Sequence, residues 1–129
     1  MDKQVFEAGL AVRKEVLGED YVKRSLESAD DFNREFQEMV TEYCWGATWG
    51  RGVLEKRQRS ILNLGMLAAL GRSHEFGLHF RGALRNGLSL DELKEVLLQI
   101  AVYCGIPAGV ESFRVARSVI AEMKEKGEL

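Results

Sequence analysis

The side chains able to do acid–base chemistry are few. Two histidines are present, and one of them, His79, has an acid four residues before it, Glu75. Residues four apart on a helix share a face, so this carboxylate and imidazole meet. Helical steps extend their stripe to Arg72, Gly82 and Asn86. The stripe flanks an apolar side made by Phe76, Phe80, Ala83 and Leu84, which puts His79 at the edge of a core. A neighbouring carboxylate raises a histidine pKa, and an imidazole so charged is suited to give up a proton near neutral pH. Two readings stand at this point: a general acid with its orienting carboxylate, or a structural ion pair on a helix flank. Glu-x-x-x-His also supplies two metal ligands, but no third His or Cys is placed beside it, so no metal site is expected. His74 falls in a first helical turn, where the dipole disfavours a cation, and is expected at the surface.

Arginines supply the complementary charge. Arg51 follows Trp49-Gly50 in a glycine-rich stretch, and Arg57 and Arg59 open an apolar helix. The guanidinium fork suits bidentate carboxylate binding, with a solvated or interfacial ion pair as the alternative, more so for Arg57 than for Arg59, which leads straight into Ile61-Leu62. Trp45 and Trp49 either pack or, in the sharper reading, Trp49 walls a substrate pocket. Cys44 and Cys104 lie sixty residues apart with no Cys-x-x-Cys, so neighbours build neither a redox pair nor a zinc knuckle. Cys104 ends a helix, where the dipole opposes a thiolate, and is expected to be buried and inert. No nucleophile elbow, P-loop or dinucleotide fingerprint is present.

These residues need a scaffold, and the composition predicts a helical one. The 129 residues fit a single domain, 1–129. With only one proline, Pro107, the chain has little of the turn punctuation that β-sandwiches and barrels need. A formal charge of −2 argues against a nucleic-acid partner. The longest apolar run, 61–70, is about half a membrane span, and the N-terminus has no signal-peptide core, so a soluble cytoplasmic protein with no membrane partner is expected.

Periodicity predicts six or seven helices and no strand. The first covers 3–17, with Phe6, Leu10, Arg13 and Leu17 on one side and Gly18 as its stop. Asp20 is expected to cap a short second helix to about Ser28. Asp30 or Asp31 is expected to cap a third, with Phe32, Phe36, Met39, Val40 and Tyr43 inward and an end near Trp45-Gly46. A loop over 46–53 leads to a helix at 55–70, apolar nearly all round in its second half and so expected to be buried on several sides. Ser73 is a candidate cap for the helix at 73–86, and Gly87 its terminator. Ser89 with Glu92 spells a capping box, flanked by a Leu88–Leu93 staple. That helix runs to about Tyr103, and Pro107 suits the first turn of a last helix, 108–125.

The stretch YCWGATWGRGVLEKRQRSILNLGMLAALGRSHEFGLHFRGALRNGLSLDELKEVLLQIAVYCGIPAG, with DFNREFQEMVTEY before it, resembles the carboxymuconolactone decarboxylase family; HFRGALRNGLSLDELKEVLLQIAVYCGIPA is its most specific part. The resemblance implies the all-α fold shared with the alkylhydroperoxidase D group. It also implies a homo-oligomer, commonly a hexamer and otherwise a trimer, with pockets near subunit contacts. In that group's thiol peroxidases a Cys-x-x-Cys precedes a histidine. Here His79 takes the histidine position, Glu75 and Arg72 the two cysteine positions, and Ser60 that of an upstream glutamate. The usual Trp-x-Arg-Pro-Gly-Leu becomes Trp49-Gly50-Arg51-Gly52-Val53-Leu54, without the proline.

The activity implied is decarboxylation of 4-carboxymuconolactone to 3-oxoadipate enol-lactone, in protocatechuate (β-ketoadipate) catabolism of aromatic acids. That lactone dicarboxylate is its own electron sink, so no cofactor and no metal is needed. The protein holds a dianion, stabilises an oxyanion and sees one proton reach carbon. The expected assignment gives carboxylate binding to Arg51 and Arg59, a pocket wall to Trp49, and proton donation or oxyanion contact to His79, oriented by Glu75. The alternatives are a thiol-dependent peroxidase of the same fold and a non-catalytic helical oligomer.

Overall fold

The computed structural model describes all 129 residues, Met1–Leu129. Seven α-helices follow one another with no strand: α1 (Lys3–Leu17), α2 (Glu19–Glu27), α3 (Arg34–Met39), α4 (Lys56–Ala69), α5 (Ser73–Arg85), α6 (Leu90–Cys104) and α7 (Ile106–Glu125). A π-helical stretch, Val40–Thr48, continues α3. The helices gather into two compact units, Met1–Lys56 and Arg57–Leu129.

In the first unit, the Asp2 carboxylate caps α1 by accepting from the N–H groups of Gln4 at 3.0 Å and Val5 at 3.2 Å. Gly18, at a φ of 94°, ends it. α1 then packs on the π-helical stretch at backbone distance. A Cβ on Gly9 would collide with the Thr41 carbonyl and the Gly46 backbone, and one on Gly46 would collide with Val5. Between them Arg13 is buried, its Nη1 donating to Thr41 Oγ1 at 3.1 Å, and the Thr41 hydroxyl donates in turn to the Gln37 carbonyl at 2.9 Å. Burial lowers the Arg13 pKa, against the raising influence of the nearby Tyr21 and Cys44. Trp45 and Trp49 are buried and stacked, with ring centroids 4.9 Å apart.

Several expectations for this region are corrected. The third helix does not stop at Trp45-Gly46. It widens to π geometry, with Trp49 N–H donating to the Cys44 carbonyl five residues back, and so takes up part of the expected loop. Phe32, Phe36, Met39 and Tyr43 do not face inward but stand exposed; the buried side chains are Thr41 and Trp45. The inward face is chosen by α1, whose Gly9 lies against the Thr41 carbonyl and the Gly46 backbone. Asp20 caps nothing, because Gly18 ends α1 and also starts α2. Asp30 caps a turn rather than α3, accepting from Phe32 and Asn33 N–H groups at 3.0 and 3.1 Å.

The second unit is built on α5, α6 and α7. Phe76, Phe80 and Ala83 from α5, Leu93, Leu97 and Ile100 from α6, and Ala116, Val119 and Met123 from α7 form one buried apolar cluster, joined by Leu64 from α4. The capping box forms as the sequence predicts: Glu92 N–H donates to Ser89 Oγ and Ser89 N–H to Glu92 Oε1, each at 3.0 Å, with Leu88 and Leu93 buried beside it. Pro107 sits in the first turn of α7. α6 and α7 meet closely where Gly109 faces Ala101, leaving no room for a Cβ. Ser73 does not cap α5; its hydroxyl donates to the Glu111 carboxylate of α7 at 2.7 Å. Arg114 and Ser73 together pull the Glu111 pKa down to about 2.

α4 is less enclosed than its composition predicts. Only Ser60 and Leu64 are buried, while Ile61, Leu62, Met66 and Leu70 are exposed. Cys104, expected inside, is exposed, because Gly105 turns the chain immediately after it. No helix is long and apolar enough to cross a membrane.

Candidate functional site

The candidate acid–base pair lies on α5. This helix is anchored by Phe76 and Phe80, which are almost wholly buried and have ring centroids 6.4 Å apart. Glu75 and His79 occupy the flank beside that apolar face and are half-buried. Their place on this flank follows from the helical period: a residue one position from a core residue is turned about 100° away from it.

The electrostatics differ from the expectation. Glu75 does favour the charged imidazole, but burial outweighs it, and the His79 pKa lies below the usual histidine value. His79 Nδ1 is among the buried atoms. At neutral pH the ring is therefore a neutral imidazole, with one N–H donor and one acceptor nitrogen, rather than the stored proton predicted from spacing. Spacing reports which charge is near; it does not report how much water has been removed.

Arg59 is in the same unit, half-buried in the second turn of α4, with its Nε buried. Ser60 beside it is wholly buried and accepts a hydrogen bond at 2.9 Å from the amide of Asn86. Asn86 belongs to the same α5 stripe as Glu75 and His79. Arg57 makes an exposed ion pair with Glu92 at 3.1 Å, the solvated role expected of it. The Ser60–Asn86 contact is a feature that sequence reasoning missed. Both residues stood on the page as positions, and nothing in one sequence says that they pair.

Trp49 and Arg51 belong to the first unit. Trp49 is buried against Trp45, and Arg51 is exposed just after it, its N–H donating to the Thr48 carbonyl at 3.1 Å. His74 is exposed, as expected. No group of three or more His, Cys, Asp or Glu side chains is gathered as a metal ion would need.

The second unit also carries a cleft of about 390 Å³ where the end of α4 and the first turns of α5 and α7 meet. Phe76 and Val115 contribute apolar wall, and Arg72, Ser73 and Glu111 contribute polar rim. Arg72 shares the helical stripe of Glu75 and His79, whereas His79 and Arg59 do not line this cleft.

The chain is all-helical and carries a carboxylate–imidazole pair on α5. Residues 34–118 match the model of the carboxymuconolactone decarboxylase family. A nitrosuccinic acid decarboxylase of Metarhizium robertsii is 42% identical over 128 residues, covering 99% of this chain and 90% of that one. A 4-carboxymuconolactone decarboxylase of Acinetobacter baylyi is 41% identical over 122 residues, covering 95% and 91%. A further 4-carboxymuconolactone decarboxylase, of Pseudomonas putida, is 51% identical over 45 residues, 35% of this chain. The chain belongs to the carboxymuconolactone decarboxylase family. Both relatives that match almost end to end are decarboxylases by name, and the enzyme class it joins with them is that of the carboxy-lyases.

Proposed function

We propose that the protein decarboxylates a small organic polyacid whose departing carboxylate sits beside a built-in electron sink. The two named activities of its relatives share that feature. A carboxylated unsaturated lactone passes the electrons of the broken C–C bond toward its lactone oxygen, and a nitrosuccinic acid passes them to its nitro group. In both, a second anionic group remains for the protein to grip. 4-Carboxymuconolactone, yielding 3-oxoadipate enol-lactone within aromatic-acid catabolism, is the substrate we favour; the nitro diacid is the alternative to assay beside it.

The observation that carries the reading is the half-buried Glu75–His79 pair on one flank of α5, where burial lowers the imidazole pKa. A neutral ring N–H, held in a partly dehydrated place, hydrogen-bonds the oxygen on which negative charge develops and gains strength as that charge grows. Glu75 orients the ring. Of the two roles first assigned to His79, oxyanion partner therefore fits better than stored acid, and water supplies the proton to carbon. Arg59 and Arg51 bind carboxylates, and Trp49 supports the Arg51 turn. The substrate carries its own sink, so the reaction needs no cofactor and no metal. In this reading residues 1–129 act as one functional domain; a family match over residues 34–118, which includes parts of both units, supports it. A homo-oligomer, hexamer or trimer, in the cytoplasm completes the proposal; the exposed row Phe32, Phe36, Met39 and Tyr43 supports association.

The test is CO2 release from the lactone and from the nitro diacid. Removing a group of this kind typically costs about 10²–10³-fold. His79→Ala is expected to lose at least about a hundredfold in kcat while its helical spectrum is retained. A folded variant with near-normal turnover removes His79 from the mechanism.

A further inference from the structure

Resting on the reading above, we infer that Ser60 and Asn86 are positioning residues: their part-buried hydrogen bond sets the carboxylate-binding Arg59 in register with the imidazole face of α5. Ser60 has no exposed surface, and its Oγ receives the Asn86 amide at 2.9 Å. Ser60 and Ser112 are the buried polar side chains of a unit whose core cluster is aliphatic and aromatic, and a buried hydroxyl carries a desolvation cost that a hydrogen-bond partner offsets. An alanine would fill the same space without that cost.

The placement explains what the bond does. On α4, Ser60 and Leu64 are one turn apart and form its buried face. Leu64 seats the middle of α4 in the apolar cluster, but apolar packing is non-directional and leaves small slides and rotations cheap. The Ser60 bond adds a directional contact one turn earlier, beside Arg59. On α5, Asn86 lies seven residues after His79, two helical turns along the same stripe, and it is the residue at which the helix ends. The turn that follows leads to Glu92, which holds Arg57 from the exposed side at 3.1 Å. Two polar links therefore grip the start of α4 from the α5–α6 turn, a part-buried one at Ser60 and an exposed, solvent-screened one at Arg57. The part-buried link is the less screened of the two and so the more directional.

Ser60→Ala removes one oxygen and leaves the volume nearly unchanged, so the variant is expected to fold. A misplaced binding group weakens the grip on substrate by about tenfold or more. KM is expected to rise about tenfold with kcat changed less than about threefold, and Asn86→Ala to do the same. The double variant is expected to be no worse than either single one, since all three break one bond. Ser60→Thr, which keeps the hydroxyl, is expected to restore KM. Calorimetric binding of succinate, an unreactive diacid, reports the same loss of affinity without any turnover. Lower melting temperature with unchanged KM and succinate affinity would make the pair structural only and overturn the inference. Wild-type protein that binds succinate in a Ser60-dependent way yet releases no CO2 from either acid would instead overturn the proposed reaction and leave the positioning role standing.

Discussion

The two units are held together by different physics. In Met1–Lys56 the helices touch through backbone: Gly9 lies against the Thr41 carbonyl and Gly46 against Val5, with Arg13 buried and satisfied in part by Thr41. In Arg57–Leu129 the contacts are mostly side chains, an apolar cluster running from Leu64 to Met123. The first arrangement tolerates almost no added volume, because backbone cannot rotate aside. The second is close-packed side chain against side chain and loses energy with every methylene removed. The candidate imidazole stands on the second, where a rigid apolar face holds α5 and lowers the water content around His79. The π-helical stretch stands in the first, where irregular geometry is fixed by close approach.

The comparison is broken most directly at Phe80. Phe80→Ala is expected to destabilise the protein by about 3–5 kcal/mol, through lost transfer energy and the cavity left behind, measured by urea denaturation. A loss under about 1 kcal/mol would mean that the cluster collapses into the gap and is not the rigid platform described. Gly9→Ala adds a single methyl group and is expected to cost about 1–3 kcal/mol, since the Thr41 carbonyl must move. Faster amide exchange at the Val40–Thr48 turns locates that effect; unchanged exchange there would sink the backbone-contact account. The mildest test is acid. The folded His79 pKa lies below the unfolded value, so the unfolded chain takes up the proton first. Stability is then expected to fall as the pH drops below about 6.5, and to level off once the folded ring also protonates. His79→Gln is expected to flatten that segment of the profile, and a segment unaltered by the substitution would place its origin elsewhere.

Legibility in the sequence followed the range of the interaction. The capping box at Ser89 and Glu92, the stops at Gly18 and Gly87, and Pro107 in the first turn of α7 depend on neighbours a few residues away, and the local pattern predicts each of them. The Glu75–His79 pairing is likewise a matter of helical spacing. The failures share the opposite property. Phe32, Phe36, Met39 and Tyr43 follow an apolar period and yet are exposed, because α1, packed through Gly9 on Thr41 and Gly46, covers the face that carries Thr41 and Trp45 instead. α4 is apolar nearly all round in its second half and yet buried only at Ser60 and Leu64.

What the amino-acid sequence determined by itself was the run of helices, the stops at Gly18 and Gly87, the capping box at Ser89 and the pairing of one acid with one histidine, since these follow from forces that act within a turn or two of the chain. Tertiary structure alone decided how much water His79 loses, which face of each helix is covered, and that Asn86 finds Ser60 twenty-six residues away. Desolvation and long-range hydrogen bonding depend on what the rest of the fold brings near a group, and no local spacing carries that information.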